Sequence, residues 1–523
     1  MTYIAFGGIL YLVKFGLFLI NIVQFFKCLL LWKERFVILA NREFGLDKYT
    51  KPELRGLPTA DELRSALIAG ENSDVRNQIA MLFDDGSFVE ISAYAKRGFS
   101  DFVATEKSNE FEGVICGYGA IDGKLAFVFA EDASRMGGAI DERHAKKIAD
   151  VYNLAIKNGA PIIGIFNSNG TDIFAGTAGL AAYGRMLACA NAASGVIPQV
   201  AFVTGKCMGL CAAIASVFDF TVKVSDASLY VSSPALTGID GALDSLIAFS
   251  GELAQCTGYI RSLISFLPLN SDMGITVESC TDNLNRMIGE LDFAGDAHAI
   301  IATIADNGVA YLVCDDFASS VTTAFATVAG VRCGLIVNSF ANNEGRIDAT
   351  SARKISRFVN LCNSFSIPLV TVVDSLGLTI EKNNEVNFFA PELAKLACAY
   401  ASADVPKITV INGHAIGASF VLLGSKALGA DIVYATDDSE ICALTADSGV
   451  AFAWDKYITL EKTRESLIEE WKQTVSSPAR AAESGEIDDI ISINELRARI
   501  CSALLMLCAK GQNATVGRKV LPL

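Results

Sequence analysis

The chain has 523 residues, with 58 acidic against 43 basic side chains and a formal net charge of −15. That balance argues against a nucleic-acid footprint, which needs clustered Lys and Arg. Hydrophobic residues make up 51% of the chain and histidines number three; the first suits strands buried on both faces of a parallel sheet plus an apolar N-terminus, and the second excludes a histidine-rich metal site.

The cysteines, 14 in all, are scattered, many inside apolar runs, as at Cys116, Cys189, Cys314, Cys333 and Cys398. No CxxC pair occurs. Cys207 and Cys211 come nearest, without the His–Cys spacing of a zinc ribbon. They read as reduced core thiols of a cytoplasmic protein.

In chain order, the first feature is an almost wholly apolar stretch from Tyr3 to Trp32, interrupted by Lys14 and Lys27. A spanning helix needs about 20 residues with few charges, and the two lysines can snorkel from opposite ends. No small-residue cleavage site follows, which argues against a removed signal peptide. Three readings fit residues 1–40: a membrane anchor, an in-plane or partner-binding helix, and an extension from a start read too far upstream. If the stretch spans, Lys33 and Arg35 place the main body in the cytoplasm. The localisation expected is cytoplasmic, with membrane association through residues 3–32.

Residues 41–75 are polar and predicted helical, with Pro52 and Pro58 as breaks. Asp85-Gly86 predicts a turn before a strand at Phe88-Val89-Glu90. Gly113 to Lys124 reads as a hairpin turning at Asp122-Gly123, followed by a buried strand at Ala126–Ala130. His144 to Asn158 is a helix by its spacing, with Ile148, Val151, Tyr152 and Ala155 on one face. Strands follow at Pro161–Phe166 and Val200–Val203. Alternating strands and helices imply an α/β fold with parallel pairing. Residues 237–300 carry the least readable pattern and are expected to hold the inter-domain connection. Strands recur at Gly334–Val337, Leu369–Val373 and Ile408–Ile411, with a helix from Ser351. The tail from Thr463 is charged, then helical through Leu507.

One stretch is written twice. Ala145-Lys146-Lys147-Ile148, Pro161 and Gly170 recur as Ala352-Arg353-Lys354-Ile355, Pro368 and Gly377, each 207 residues on (352 against 145, 368 against 161, 377 against 170). Gly205 and Gly209 recur as Gly413 and Gly417 at a spacing of 208. Such a period signals two copies of one α/β domain, with a site where two similar halves meet.

Two glycine-rich loops follow buried strands: Thr204-Gly205-Lys206-Cys207-Met208-Gly209-Leu210-Cys211 and Asn412-Gly413-His414-Ala415-Ile416-Gly417-Ala418-Ser419. Such turns aim backbone N–H groups at one point with a helix N-terminus behind them, which stabilises a negative oxygen. Close strand–helix packing alone also explains such glycines. His414 is a candidate acid or base; His144, at a helix start, reads as a cap or a packed residue. Neither loop has a clear Glu pair, and the chain has no Walker loop, no GxGxxG and no GxSxG elbow.

The stretches GGAIDERHAKKIADVYNLAIKNGAPIIG, ASGVIPQVAFVTGKCMG, SARKISRFVNLCNSFSIPLVTVVDSLG and AKLACAYASADVPKITVING, in this order over roughly residues 75–510, resemble the biotin-dependent acyl-CoA carboxyltransferases. The resemblance covers carboxylase beta-type and sodium-pumping decarboxylase alpha-type subunits. It implies two tandem crotonase-like (ClpP/crotonase superfamily) β–β–α spiral domains, residues 41–265 on the acyl-CoA side and 266–523 on the biotin side, behind the hydrophobic N-terminal helix.

It further implies a homo-oligomer, a hexamer, whose active site joins the first half of one protomer to the second half of another. The N–H groups of Gly209 and Leu210 would face the thioester enolate, and those of Ala418 and Ser419 the biotin ureido oxygen. Gly137, Gly138, Gly170, Gly205, Gly377, Gly413 and Gly417 would shape substrate binding, with no metal. The biotin would arrive on a separate carrier, the biotin carboxyl carrier protein, and coenzyme A as part of the substrate. Biotin carboxylase or membrane decarboxylase subunits would complete the complex. Because the biotin anion takes the substrate's α-proton, no acid–base pair is needed.

The sequence departs from that pattern in five places. Ser168-Asn169-Gly170-Thr171-Asp172 replaces a Ser-Gly-Gly-Ala-Arg run, and Leu210 and Ala418 replace the second glycine of each loop. Leu376-Gly377-Leu378 replaces Pro-Gly-Phe, and Asn387-Phe388-Phe389 replaces Gly-Gly-Ile. A catalytically silent scaffold subunit and a CoA-dependent hydratase or isomerase are the alternative readings.

Overall fold

The computed structural model describes residues 59–68, 74–97, 111–287, 295–459 and 461–510, with Gln24 and Lys27. Two units are present, Met1–Ile68 and Ala69–Leu523. In the first, helix α1 (Ala60–Ile68) opens on a reciprocal cap: Thr59 Oγ1 accepts the Glu62 N–H at 3.2 Å, and Glu62 Oε2 accepts the Thr59 N–H at 2.7 Å. The apolar stretch Tyr3–Trp32 lies outside the described residues apart from Gln24 and Lys27. Among the described residues no helix is long and apolar enough to cross a membrane.

The second unit holds two large mixed sheets. The first runs β1 (Val89–Ile91), β2 (Val114–Ile121), β3 (Lys124–Glu131), β4 (Ile162–Phe166), β5 (Gln199–Val203), β7 (Phe220–Val224) and β9 (Ile247–Gly251). A two-stranded ribbon, β6 (Lys206–Met208) with β8 (Ser228–Tyr230), lies apart from it. The second sheet runs β10 (Ala310–Val313), β11 (Val321–Val328), β12 (Val331–Asn338), β13 (Leu369–Ser375), β14 (Lys407–Ile416), β15 (Ile432–Thr436) and β17 (Asp489–Ile491), with β16 (Glu440–Cys442) beside β14. Each sheet begins antiparallel and turns parallel from its third strand to its fourth.

The helices of this unit include α2 (Asp74–Leu82), α3 (Glu142–Asn158), α4 (Thr177–Ala193), α5 (Leu210–Ala215), α6 (Leu253–Phe266), α7 (Ala297–Ile304), α8 (Ala349–Ser364), α9 (Phe389–Ser402), α10 (Ala418–Leu422), α11 (Arg464–Thr474) and α12 (Leu496–Leu507), with further short helices at Lys382–Val386 and Pro478–Glu483 among others.

The repeat read from the sequence extends to atoms. Asp141 and Asp348 each cap the helix that follows through the side chain, opening α3 and α8. Lys147 Nζ reaches the Val114 carbonyl at 2.5 Å; Lys354 Nζ reaches the Val321 carbonyl, at the equivalent place, at 2.7 Å. Bridges Ile140↔Thr171 and Ile347↔Leu378 repeat the same register. The hairpin turns where expected, with Asp122 at φ 48° and Gly123 at φ 77°, the left-handed pair that suits strand twist.

The stretch 237–300, expected to hold the inter-domain connection, contains β9 and α6 at its start and the first residues of α7 at its end. Of β9 only Ala248 is buried, which explains why no alternation was legible. The tail likewise contains β17, a three-residue edge strand, between its helices.

One core spans both halves. Phe220 and Phe266 meet Phe325 at 6.0 and 5.4 Å, and Phe325 meets Phe358 at 5.1 Å. Burying each such ring contributes roughly 1.5–3 kcal/mol. Arg357 of α8 reinforces the join, donating to the Phe218 and Asp219 carbonyls at 2.6 and 3.2 Å. Separate clusters lie under α3 and α4 and under α7 and α12.

Candidate active site

Both glycine loops leave the carboxyl ends of parallel strands, the end at which open α/β sheets hold ligands. In the first, β5 passes through Thr204-Gly205 into β6 and then α5. A Cβ on Gly205 would lie 2.2 Å from Asn167 Oδ1, so only glycine lets β5 pass the end of β4. Asn167 Oδ1 accepts the Lys206 N–H at 3.2 Å, and Lys206 Nζ donates to Asn169 Oδ1 at 3.0 Å. Beneath them Glu131, fully buried at the end of β3, accepts the Asn167 N–H at 2.9 Å through Oε2, while Oε1 has no partner. Burial pushes this carboxyl up to about 8, against the opposing Asn167 hydrogen bond.

Gly209 (φ 60°) turns the chain into α5. Its N–H donates to the Tyr230 carbonyl at 3.0 Å, and the first rung of the helix runs from Ala213 N–H to Gly209 O. Of the two amides expected to face an oxyanion here, the Gly209 amide is thus spent on the β6–β8 ribbon. The Leu210 amide precedes the first rung, free of an intrahelical bond, on a residue 47% exposed. The thiols of Cys207 and Cys211 are buried and pushed up by desolvation, so they remain protonated packing groups.

The second loop repeats this plan with different side chains. β14 runs on through Asn412-Gly413-His414, and Gly413 adopts φ 115°, with a Cβ there only 2.6 Å from Asp374 Cγ. Asp374 occupies the place of Asn167. Its Oδ1 accepts both the His414 N–H and His414 Nδ1–H, each at 2.9 Å. The imidazole stacks on Phe340, centroids 4.9 Å apart and planes 19° from parallel. The Asp374 hydrogen bond holds this histidine above its ordinary range, against desolvation.

Gly417 (φ 60°) donates its N–H to the Cys442 carbonyl at 2.8 Å, leaving the Ala418 and Ser419 amides at the start of α10. Ser419 is fully buried and its hydroxyl bonds the Ile416 and Ser375 carbonyls at 2.8 and 3.2 Å.

The other expected residues flank these loops. Gly137 and Gly138 precede α3, packed against Asn169 and Asn167. Gly170 donates to Ser168 Oγ at 3.0 Å and Gly377 to Ser375 Oγ at 3.3 Å. Gly137, Gly138, Gly170 and Gly205 therefore gather around the first loop, and Gly377, Gly413 and Gly417 around the second. No hydrogen bond among the described residues joins the two loops within one chain. Asp172, where the charge has changed sign, is neutralised by Arg97 at 2.7 Å in a buried pair. His144 is fully buried, 3.5 Å from Glu112, a packed residue. The sequence reading named His414 as a candidate acid or base but missed its partners Asp374 and Phe340, and it missed Glu131 and Arg97. Laying the repeat over itself, which puts Asp374 on Asn167 and His414 on Lys206, is the signal that points to the Asp374–His414 pair.

The fold defined by these paired sheets is that of the transcarboxylase 12S subunit, a structure described as a hexamer assembly with methylmalonyl-coenzyme A bound. The likeness covers 87% of this chain and 96% of that one, with a TM-score of 0.80 and 27% identity. The chain is 34% identical over 464 residues to the methylmalonyl-CoA decarboxylase subunit alpha of Veillonella parvula, covering 84% of this chain and 90% of the relative. It is 32% identical over 465 residues to the mitochondrial propionyl-CoA carboxylase beta chain of Homo sapiens, covering 83% and 85%. The carboxyl transferase domain family matches residues 70–242 and 247–519. The chain belongs to this family, as a carboxyltransferase subunit of the acyl-CoA carboxylase and decarboxylase kind.

Proposed function

We propose that this chain moves a carboxyl group between an acyl-CoA and biotin held on a separate carrier protein. The observation that carries the reading is the repeated loop, each copy ending in helix-terminal amides at the carboxyl end of its own sheet. Residues 41–265 would hold the acyl-CoA and residues 266–523 the biotin.

Biotin is a co-substrate here: its ureido nitrogen takes or gives the carboxyl group, and the matching proton ends on or leaves the acyl α-carbon. The donor set of the second loop suits a ureido oxygen: the Ala418 and Ser419 amides open α10, four and five residues beyond His414 on the same strand-to-helix turn. The Leu210 amide, oriented by Gly209, faces the thioester oxygen, where charge develops as the enolate forms. Losing one such donor removes roughly 2.7–4 kcal/mol of transition-state stabilisation. The chain supplies orientation, exclusion of water and N–H groups, which is consistent with the lack of a Glu pair near either loop.

Because each loop, among the described residues, is bonded within its own half, the two meet across protomers in this reading. Ile173 and Ile380, equivalent in the repeat, are 86% and 95% exposed, the kind of apolar surface that oligomers cover. A hexamer, served by a biotin carboxyl carrier protein and by biotin carboxylase or membrane decarboxylase subunits, completes the proposal.

The test is incubation of the purified full chain with malonyl-, methylmalonyl- and glutaconyl-CoA, with and without free biotin, followed by mass spectrometry. Biotin-dependent loss of the carboxyl group from one of them supports the reading. A silent scaffold is the second reading, favoured by the half-exposed Leu210 side chain at the first loop. Binding of acyl-CoA and biotin without turnover would establish it.

A further inference from the structure

We propose that His414 is a catalytic residue of the second loop: its Nε2, left open by the Asp374 bond at Nδ1, donates to the anionic oxygen that develops on the biotin side, with Asp374 as its positioning residue. The inference rests on the transfer reading above and assigns that reading a side-chain donor.

Three strands deliver the group. Phe340 follows the end of β12, Asp374 lies near the end of β13, and His414 lies on β14. All three stand at the carboxyl end of the second sheet, and Ser419 of α10 bonds the carbonyl of Ser375, next to Asp374, at 3.2 Å. The ring is fixed on two sides, by Asp374 at 2.9 Å and by the Phe340 face at 4.9 Å. A carboxylate on Nδ1 settles the tautomer and commits the proton there. Nε2 has no hydrogen-bond partner among the described residues, and the side chain is 30% exposed.

That is the arrangement of an oriented imidazole waiting for a ligand. A histidine that only packs has no need of an orienting carboxylate at one nitrogen and open space at the other. His144 is the internal contrast: Glu112 lies 3.5 Å from its Nδ1, but the residue is fully buried and its Nε2 is enclosed, so no ligand can reach the second nitrogen.

The groups facing the ring are Asp374 from β13, Glu440 from β16 and Lys472 from α11. Glu440 pairs with His414 in strand register, and its charge is met by Lys472 at 2.7 Å. Asp374 is thus the carboxylate committed to the ring, and it favours the imidazolium. In that form Nε2–H is a charge-assisted donor, shorter and stronger than a neutral one. No proton leaves His414 in the step. It holds the oxygen while charge is present, so both binding and transfer decline as the pH rises through the His414 titration.

The experiment is nuclear magnetic resonance of the full chain labelled in its histidines, titrated with and without saturating free biotin. Biotin affinity of His414→Gln and Asp374→Asn is measured alongside, at pH 6 and pH 9. The His414 resonance, assigned by its loss in His414→Gln, titrates above the ordinary histidine range and moves higher with biotin. Asp374→Asn lowers it. His414→Gln weakens biotin binding by about tenfold at pH 6 and little at pH 9, with acyl-CoA affinity unchanged. If Gln at 414 prevents folding, Asp374→Asn, which keeps the ring, carries the same test.

A His414 resonance indifferent to biotin, or variants that bind biotin as the parent does at both pH values, would overturn the assignment. A protein that transfers nothing but whose His414 responds to biotin refutes the transfer reading and overturns the catalytic role, leaving His414 as a donor to bound biotin alone. Transfer with an unresponsive His414 keeps the transfer reading and overturns this one.

Discussion

Replacing Glu131 by Gln should remove a specific pH dependence of stability. Glu131 is fully buried, accepts the Asn167 N–H at 2.9 Å, and is held at about 8 against an ordinary 4.5. Between those values the folded chain keeps the proton and the unfolded chain releases it. Stability therefore falls as the pH rises from about 4.5 to 8, by about 1.4 kcal/mol per unit from this group alone. The ceiling is roughly 5 kcal/mol, reached above pH 8. Gln keeps a carbonyl oxygen for the Asn167 amide and has no charge to bury. The assay is urea unfolding at pH 5, 6, 7 and 8, extrapolated to water. The variant should gain on the parent progressively, most at pH 8. A stability difference that stays constant across the four pH values would refute the reasoning, because a titrating buried carboxyl cannot give one.

Other perturbations reach the loops and the surface. Gly413→Ala places a Cβ 2.6 Å from Asp374 Cγ at φ 115°; it should cost about 1–3 kcal/mol, lowering the melting temperature and abolishing transfer. Leu210→Gly removes a half-exposed side chain beside the first loop's amide and should lower KM for the bulkier acyl-CoA substrates, at a stability cost of about 1 kcal/mol. Ile173→Ser with Ile380→Ser should shift the oligomer toward smaller species in sedimentation, with the fold retained by circular dichroism. Phe388 sits 72% exposed at φ 60°. Phe388→Gly should relieve that backbone and raise the urea midpoint of the dissociated chain.

Elements with a strong period were legible in the sequence. The α3 face at Ile148, Val151, Tyr152 and Ala155 is buried as its spacing requires, and the turn at Asp122-Gly123 is where a left-handed pair must fall. The half-exposed β9 and three-residue β17 carried no such pattern, since their places are set by neighbouring strands. Glycine loops announced themselves because close approach to Asn167 and Asp374 excludes every other side chain at Gly205 and Gly413. The polar partners did not. Asp374 closes an apolar strand and meets His414 only once β13 and β14 lie in register, 40 residues apart in sequence. Arg97 reaches Asp172 across 75 residues, and no local rule pairs them. Gly209 looked like an oxyanion donor, yet its amide is taken by Tyr230, a partner supplied by the β6–β8 ribbon.

The most direct measurement follows the carboxyl group itself. The full chain, free biotin and acyl-CoA carrying a 13C-labelled carboxyl group are mixed, and the carboxylated biotin is trapped as its methyl ester. Label on biotin, reduced by His414→Gln and absent without the protein, is the predicted result. Label lost from the acyl-CoA at the same rate with or without biotin, or no loss from a protein shown to be folded and oligomeric, would contradict the account.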